Sequence, residues 1–263
     1  MSGPLRRREG HVLHIALNRP EVKNAFDEAL IGEVTMAFRA VKASDPYRVV
    51  CLSGEGGTFC AGGDLGWMKR AATWTQAENR KDAMRLFRML LAVRDCPKPV
   101  VAAIRGYALG GGSGLAAACD RAIAEEGAQF GFTEVRLGIL PGAISPFVVE
   151  KIGLTHARDL FTSGRRFSAS KAFHIGLVSE TAPAGKLDEV VAEALKDYLL
   201  SAPGATVQAK KLAFEISADL ARKRFSAIGP KVAGKIAAKR ADAEARAGFA
   251  AFFEKLPPPW TRG

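Results

Sequence analysis

Two glycine-rich stretches and one glutamate carry most of the chemistry open to this sequence. "FCAGGDL" (59–65) and "LGGGSGL" (109–115) each follow an apolar run and lead into a helical stretch, and the second contains no ionisable side chain. Three uses compete for it. As a dinucleotide loop, Gly112, Gly114 and Ala117 satisfy G-x-G-x-x-A, with Glu134 near the expected acidic position. However, the preceding strand ends near Ile104, and "RGYALG" is too much chain for the tight turn such a loop needs. As a nucleophile elbow around Ser113, the loop needs glycine where Leu115 stands. None of His11, His14, His156 and His174 sits in a recognisable base context. The third use joins both loops. Glycine lets a backbone N–H point outward, and a helix N-terminus favours negative charge. Two such N–H groups on one carbonyl oxygen form an oxyanion hole, each donor contributing about 2.7–4 kcal/mol in the transition state. Two tight turns without a joint purpose remain open at this level.

The elements that must position these loops follow from periodicity. Leu13, Ile15 and Leu17 share one face of a strand at 12–18. Asp27 then caps a helix striped by Leu30, Val34, Ala37, Phe38 and Val41. "RVVCLSG" (48–54) is a second strand, 76–94 a long helix, and "KPVVAAI" (98–104) a strand entered through Pro97 and Pro99. Short helices and strands continue to about 181, and from about 186 strands cease. Leu187, Val190, Val191, Ala194, Leu195 and Tyr198 form one helical face, and Phe249, Phe252, Phe253 and Leu256 another. The order is α/β first and all-helical last. The aromatic tail can pack on its own core or on another subunit.

Composition narrows the class. The chain has 263 residues, 48% of them hydrophobic and 25% charged, which suits one large or two small globular domains. No apolar run approaches the ~20 residues a membrane span needs, and "MSGPLRRREGHVLHI" lacks the apolar core of a secretion signal. Cys51, Cys60, Cys96 and Cys119 show no metal-ligand spacing, so reduced thiols in the cytoplasm and no bound metal are expected. The net charge of +11 comes from basic residues dispersed along the chain, the densest clusters being "RRR" (6–8), Lys210-Lys211 and "ARKRF" (221–225). It suits a solvated face or a polyanionic small molecule better than nucleic acid.

Taken together, "LNRPEVKNAFD" (17–27), "FCAGGDL", "KPVVAAIRGYALGGGSGLAAACD" (98–120), "AQFGFTEVRLGILPG" (128–142), "GRRFSASKAFHIGLV" (164–178) and "AFFEKLPPPW" (251–260) resemble the enoyl-CoA hydratase/isomerase, or crotonase, superfamily. The matches keep the family's order along most of the chain. The resemblance implies an α/β crotonase-like spiral of ββα units over 1–200 and a helical trimerisation region over 201–263. It implies an acyl-CoA thioester as substrate, assembly as a homo-trimer or a dimer of trimers, and no redox cofactor or metal. It makes Gly63 and Gly111 the oxyanion donors, with Asp64 capping the next helix. Val22, Lys23 and Ala25 correspond to the segment touching the coenzyme A arm, and Ala61, Leu65 and Met68 to the wall beside it. Phe252 and Lys255 correspond to tail residues that reach adenine and phosphates, usually in a neighbouring subunit.

One departure is large. Many hydratases of the family carry two glutamates, and here the first position is Gly114, bordering the substrate, while the second is Glu134. The resemblance therefore implies hydration of a 2-enoyl-CoA thioester by Glu134 acting as acid and base in turn. A 3,2-enoyl-CoA isomerase with the same glutamate as proton shuttle is the rival, and a non-catalytic acyl-CoA-binding homologue a third reading. "TEVRLGILPGAISPFVVEKIG" (133–153) is similar to methylglutaconyl-CoA hydratase-like bacterial members. For a substrate with a second carboxylate, Arg136 and Lys69 are the basic residues the sequence offers nearby.

Overall fold

A computed structural model of the protein describes residues 4–201, 203–217 and, from 229 to 256, all but 231, 232, 235, 239 and 242. The basic "ARKRF" stretch and the end of the "AFFEKLPPPW" segment lie outside the described residues.

Strands β1 (Leu5–Glu9), β2 (Val12–Leu17), β3 (Val49–Gly54), β4 (Val100–Ile104), β6 (Arg121–Glu125) and β9 (Glu180–Ala182) form one sheet in the order β1-β2-β3-β4-β6-β9. All its pairs are parallel except the β1–β2 hairpin. β1 is absent from the periodicity because every residue in "LRRRE" is exposed. Only pairing to β2 across a turn at Gly10, with φ of 55°, holds it. β5 (Tyr107–Leu109), β7 (Gln129–Gly131) and β8 (Arg166–Ser168) form a second, small sheet.

Helices α1 (Glu28–Arg39), α3 (Gln76–Arg94), α4 (Gly111–Ala118) and α5 (Ser145–Ser163) bury one face of the large sheet. Leu13, Ile15 and Leu17 point into that core, as their alternation requires. Val12, Val49, Val101 and Ile123 face the opposite way and are covered by Leu187, Val191 and Leu195 of α7 (Leu187–Leu200). α2 (Leu65–Ala71), α6 (Ala169–His174), α8 (Pro203–Ser217) and α9 (Ala243–Phe253) are further helices, and the described residues 229–230, 233–234, 236–238 and 240 are helical too. Side-chain caps start several of them. Asp27 accepts from the Leu30 N–H, Asp64 from the Trp67 N–H, and Thr75 forms a reciprocal capping box with Glu78.

The spiral implied by the resemblance is visible in how successive turns stack. Each turn lays one strand in the large sheet and then a short extended segment in a second layer. Those segments are Phe26, Cys60–Gly63, β5 and β7, joined by single bridges Phe26↔Gly63 and Cys60↔Ala108 and by the β5–β7 pairing. This second layer carries both glycine loops.

The expected single face Phe249–Phe252–Phe253–Leu256 divides. Phe249 is buried with Ile139 and Ala245, whereas Phe252 and Leu256 are exposed at 41% and 48%. Part of the tail therefore packs on its own core and part remains uncovered in the single chain.

Candidate active site

The two glycine loops are zipped side by side. Phe26 N–H donates to Gly62 O at 2.7 Å and Asp64 N–H to Phe26 O at 2.9 Å, so the Gly63 N–H between them faces away from that partner. Cys60 N–H donates to Tyr107 O at 2.8 Å, and Leu109 N–H returns to Cys60 O at 3.0 Å. Gly111 opens α4, where the first N–H groups have no carbonyl within the helix. Among the described residues, neither the Gly63 nor the Gly111 N–H has a backbone acceptor. The loops approach closely because Gly112 lacks a side chain. A Cβ there would lie 2.5 Å from the Cys60 carbonyl oxygen. Gly110, with φ of 50°, makes the turn that directs the chain into α4.

A clamp holds the first loop in place. The Arg19 guanidinium contacts Asp27 at 3.1 Å, Asp64 at 3.3 Å and the Ala25 carbonyl at 2.8 Å. It thereby ties together the caps of α1 and α2, the second of which follows directly on Gly63.

Glu134 lies on a short 3-10 turn (Thr133–Leu137) above the second loop. Its Oε1 is 3.2 Å from where a Cβ on Gly110 would be. Its Oε2 is out of reach of solvent and has no hydrogen-bond partner among the described residues. Burial pushes its carboxyl up to about 7, opposed by its own backbone N–H and by the charge of Arg240. A carboxyl tuned to that range gives and takes protons near neutral pH.

These groups share a cavity of about 450 Å³. Gly63, Gly111, Glu134, Ala61, Leu65, Met68 and Phe252 all line it, as does Arg136. Val22, Lys23 and Ala25 do not. The Lys23 carbonyl accepts from the Ala61 N–H at 3.0 Å, its Nζ lies 5.4 Å from the centre of the Tyr107 ring, and Ala25 is buried. Lys69 and Lys255 also stay off the wall, although Leu256 beside Lys255 is on it. Gly114 requires a correction. It sits behind the wall, because the space its side chain would occupy is filled by Ile144, whose Cγ2 would be 2.4 Å from a Cβ.

Both rival uses of the second loop fail on packing. Ser113 is fully buried, its Oγ donating to Ala108 O and accepting from the Gly131 N–H at 3.2 Å, and no histidine lines the cavity. β5 intervenes between β4 and α4, and Gly112 is pressed against Cys60, leaving no tight strand-to-helix turn for a pyrophosphate.

The structure adds a group that local pattern did not reveal. Arg240 lines the cavity, with Nη1 at 3.3 Å from both Asp82 Oδ2 and Asn79 Oδ1, and Asp82 accepts from the Trp67 indole N–H at 3.2 Å. Asp82 and Asn79 each read as one polar residue on a long helix, and only the fold brings the C-terminal arginine to them.

Comparison with known proteins agrees with this architecture. The enoyl-CoA hydratase/isomerase family model matches residues 7–263. An enoyl-CoA isomerase/hydratase, fer4, of Mycosarcoma maydis is 36% identical over 219 residues, 80% of this chain and 78% of that one. The crystal structure of an enoyl-CoA hydratase from Mycobacterium avium superposes with a TM-score of 0.83 at 32% identity, covering 95% of this chain and 94% of the other. An enoyl-CoA hydratase from Bacillus anthracis superposes with a TM-score of 0.76 at 32% identity, covering 97% of each chain. A match that runs through both loops, the spiral and the helical tail leaves one conclusion: the chain belongs to the enoyl-CoA hydratase/isomerase (crotonase) superfamily of enzymes.

Proposed function

We propose that this enzyme is an enoyl-CoA hydratase, adding water across the 2,3 double bond of a 2-enoyl-CoA thioester with a branched or methylglutaconyl-type acyl group. The observation that carries the reading is the Glu134 carboxyl, whose Oε2 is shut off from solvent and without a partner among the described residues, beside two glycine N–H groups that have no backbone acceptor among those residues. The thioester oxygen would accept from the Gly63 and Gly111 N–H groups, which stabilise the enolate-like charge as it forms. Ionised Glu134 would take a proton from water as its oxygen bonds to Cβ. The same carboxyl then gives a proton to Cα and ends the cycle in its starting state. This chemistry needs no metal or redox cofactor, only the coenzyme A that the substrate carries.

Ala61, Leu65 and Met68 would border the coenzyme, with the Val22–Ala25 turn behind Ala61. Phe252 and Lys255 would meet it from the tail in a homo-trimer or a dimer of trimers. Exposed Phe252 and Leu256 suit such an assembly. Four buried, unpaired cysteines suit a reducing compartment such as the cytoplasm.

Ile144 at the Gly114 position favours a second reading. A site with one carboxylate and an apolar opposite face can shuttle a proton between two carbons, as 3,2-enoyl-CoA isomerisation requires. Assaying wild type and Glu134→Gln on matched 2-enoyl and 3-enoyl thioesters separates the readings. Loss of enoyl absorbance on the 2-enoyl substrate, abolished in the variant, supports hydration. Conversion of 3-enoyl to 2-enoyl without water uptake supports isomerisation. Coenzyme A binding without turnover of any thioester identifies a non-catalytic homologue, and full activity in the variant removes Glu134 from the mechanism.

A further inference from the structure

The donor at Gly63 sits in a pliable stretch of backbone, because Gly62 before it has φ of 102° and neither residue has a side chain to anchor. On one side the Phe26 backbone grips this stretch, and its bond to Gly62 O fixes the direction of the Gly63 N–H. On the other side lies Trp67. A Cβ on Gly63 would be 3.1 Å from Cζ3 and 3.3 Å from Cε3 of its indole, so the buried ring backs directly onto the donor residue.

Buried polar groups hold that ring. The indole N–H donates to Asp82 Oδ1 at 3.2 Å, and Asp82 Oδ2 accepts from Arg240 Nη1 at 3.3 Å. The Arg240 guanidinium carbon stands 5.5 Å from the centre of the Trp67 ring. The same Nη1 is 3.3 Å from Asn79 Oδ1, while the Asn79 amide donates to the Ala71, Trp74 and Thr75 carbonyls where α2 ends. Arg240 therefore reaches both the first turn and the end of α2, the short helix that starts two residues after Gly63.

Packing alone does not call for such a cluster. Apolar residues of equal volume would fill the space as favourably, because burying an ion pair often costs as much as it returns. What a hydrogen-bonded indole supplies is orientation. The outer torsion of a tryptophan side chain has broad wells, and a bond from the ring N–H to a fixed carboxylate selects one setting. Orientation matters beside Gly63. An oxyanion donor acts over about 2.7–3.1 Å, and a displacement of about 1 Å can cost about 10²-fold in rate.

We infer that Arg240 is a positioning residue for the oxyanion hole: through Asp82 it sets the Trp67 indole against Gly63, so the first donor is in place when the C-terminal helical stretch is docked on α2 and α3. This rests on the acyl-CoA reading in which Gly63 is a donor, and assigns what holds that donor. Among the described residues Arg240 makes no hydrogen bond to either glycine loop, so its effect passes through Trp67.

The test reads the thioester carbonyl directly. Butyryl-CoA isotopically labelled at that carbon is saturated and cannot react, and infrared difference spectra report how far the donors lower its C=O stretch. In the wild type the stretch should fall relative to the free thioester. Arg240→Met and Trp67→Phe should each lose at least about half of that lowering, with kcat on crotonyl-CoA down about tenfold and KM within about twofold. Arg240→Lys, which keeps a cation beside Asp82, should recover part of both. Val191→Ala, which opens a cavity between α7 and the far face of the sheet, should leave the stretch and kcat unchanged. A full lowering in Arg240→Met and Trp67→Phe overturns the proposal, as does an equal loss in Val191→Ala. If Arg240→Met does not fold, Trp67→Phe decides alone. No lowering in the wild type overturns the donor reading itself and the coupling with it. Absence of turnover beside a lowering that the variants lose counts against hydration alone and supports the coupling.

Discussion

A Cβ on Gly114 would stand 2.4 Å from Ile144 Cγ2 and 2.7 Å from Ile144 Cβ, so the two residues together occupy the volume of one side chain. The glycine and the isoleucine are one packing solution. Placing a glutamate at 114 overfills the site and adds a buried charge. Gly114→Glu alone should therefore lose about 3 kcal/mol or more of stability. Gly114→Glu with Ile144→Gly should recover much of it and raise the ratio of hydration to isomerisation. Denaturant unfolding and a two-substrate assay check the pair.

Glu134 makes activity and stability run in opposite directions with pH. Its folded value of about 7 lies above the ordinary 4.5, so the native state holds more protons than the unfolded chain between those limits. Stability should fall as pH rises from about 4.5 to 7, by about 3 kcal/mol, and then level off. Glu134→Gln should accordingly be more stable than wild type at pH 8, with the difference vanishing below pH 4.5. Its turnover should drop by about 10²–10⁴-fold. In the wild type, kcat/KM should climb through about pH 7 as the carboxylate forms. Unfolding at two pH values and a pH–rate profile test both halves.

Gly112 does not line the cavity, but it sets how closely α4 approaches Cys60. Gly112→Ala should force the two loops apart, cost about 2 kcal/mol and lower kcat at least about tenfold by misplacing the Gly111 N–H relative to Gly63. Gly127 has nothing within 4 Å of a Cβ and negative φ, so Gly127→Ala should change neither quantity and serves as the control. Thermal melts with steady-state kinetics on both variants decide.

Arg19→Met removes the cation shared by Asp27 and Asp64 and leaves two partly buried carboxylates facing each other. The loss should be about 3 kcal/mol, with a fall in kcat because α2 begins beside the Gly63 donor. Neutralising one carboxylate as well, in Arg19→Met/Asp27→Asn, should return part of the stability while the cap of α1 is kept. Equilibrium unfolding of the single and double variants measures this.

Local pattern was sufficient wherever the physics is local. The boundaries of α3, the Asp27 cap, the alternation in β2 and the change from α/β to all-helical near 186 could be read directly, because helix and strand periods and capping act within a few residues. The two glycine loops were legible as a pair, since only glycine permits such turns and close approaches. What could not be read depended on contacts between distant positions. Ile144 fills the space of Gly114 thirty residues earlier, Phe249 and Phe252 on one helix meet opposite fates, and Arg240 reaches Asp82 across 158 positions. The family resemblance, the order of elements and the candidate donors are legible in the residues themselves. Which side chains share the cavity is a matter of long-range packing, because burial, and with it the raised proton affinity of Glu134, arises from contacts that no local window contains.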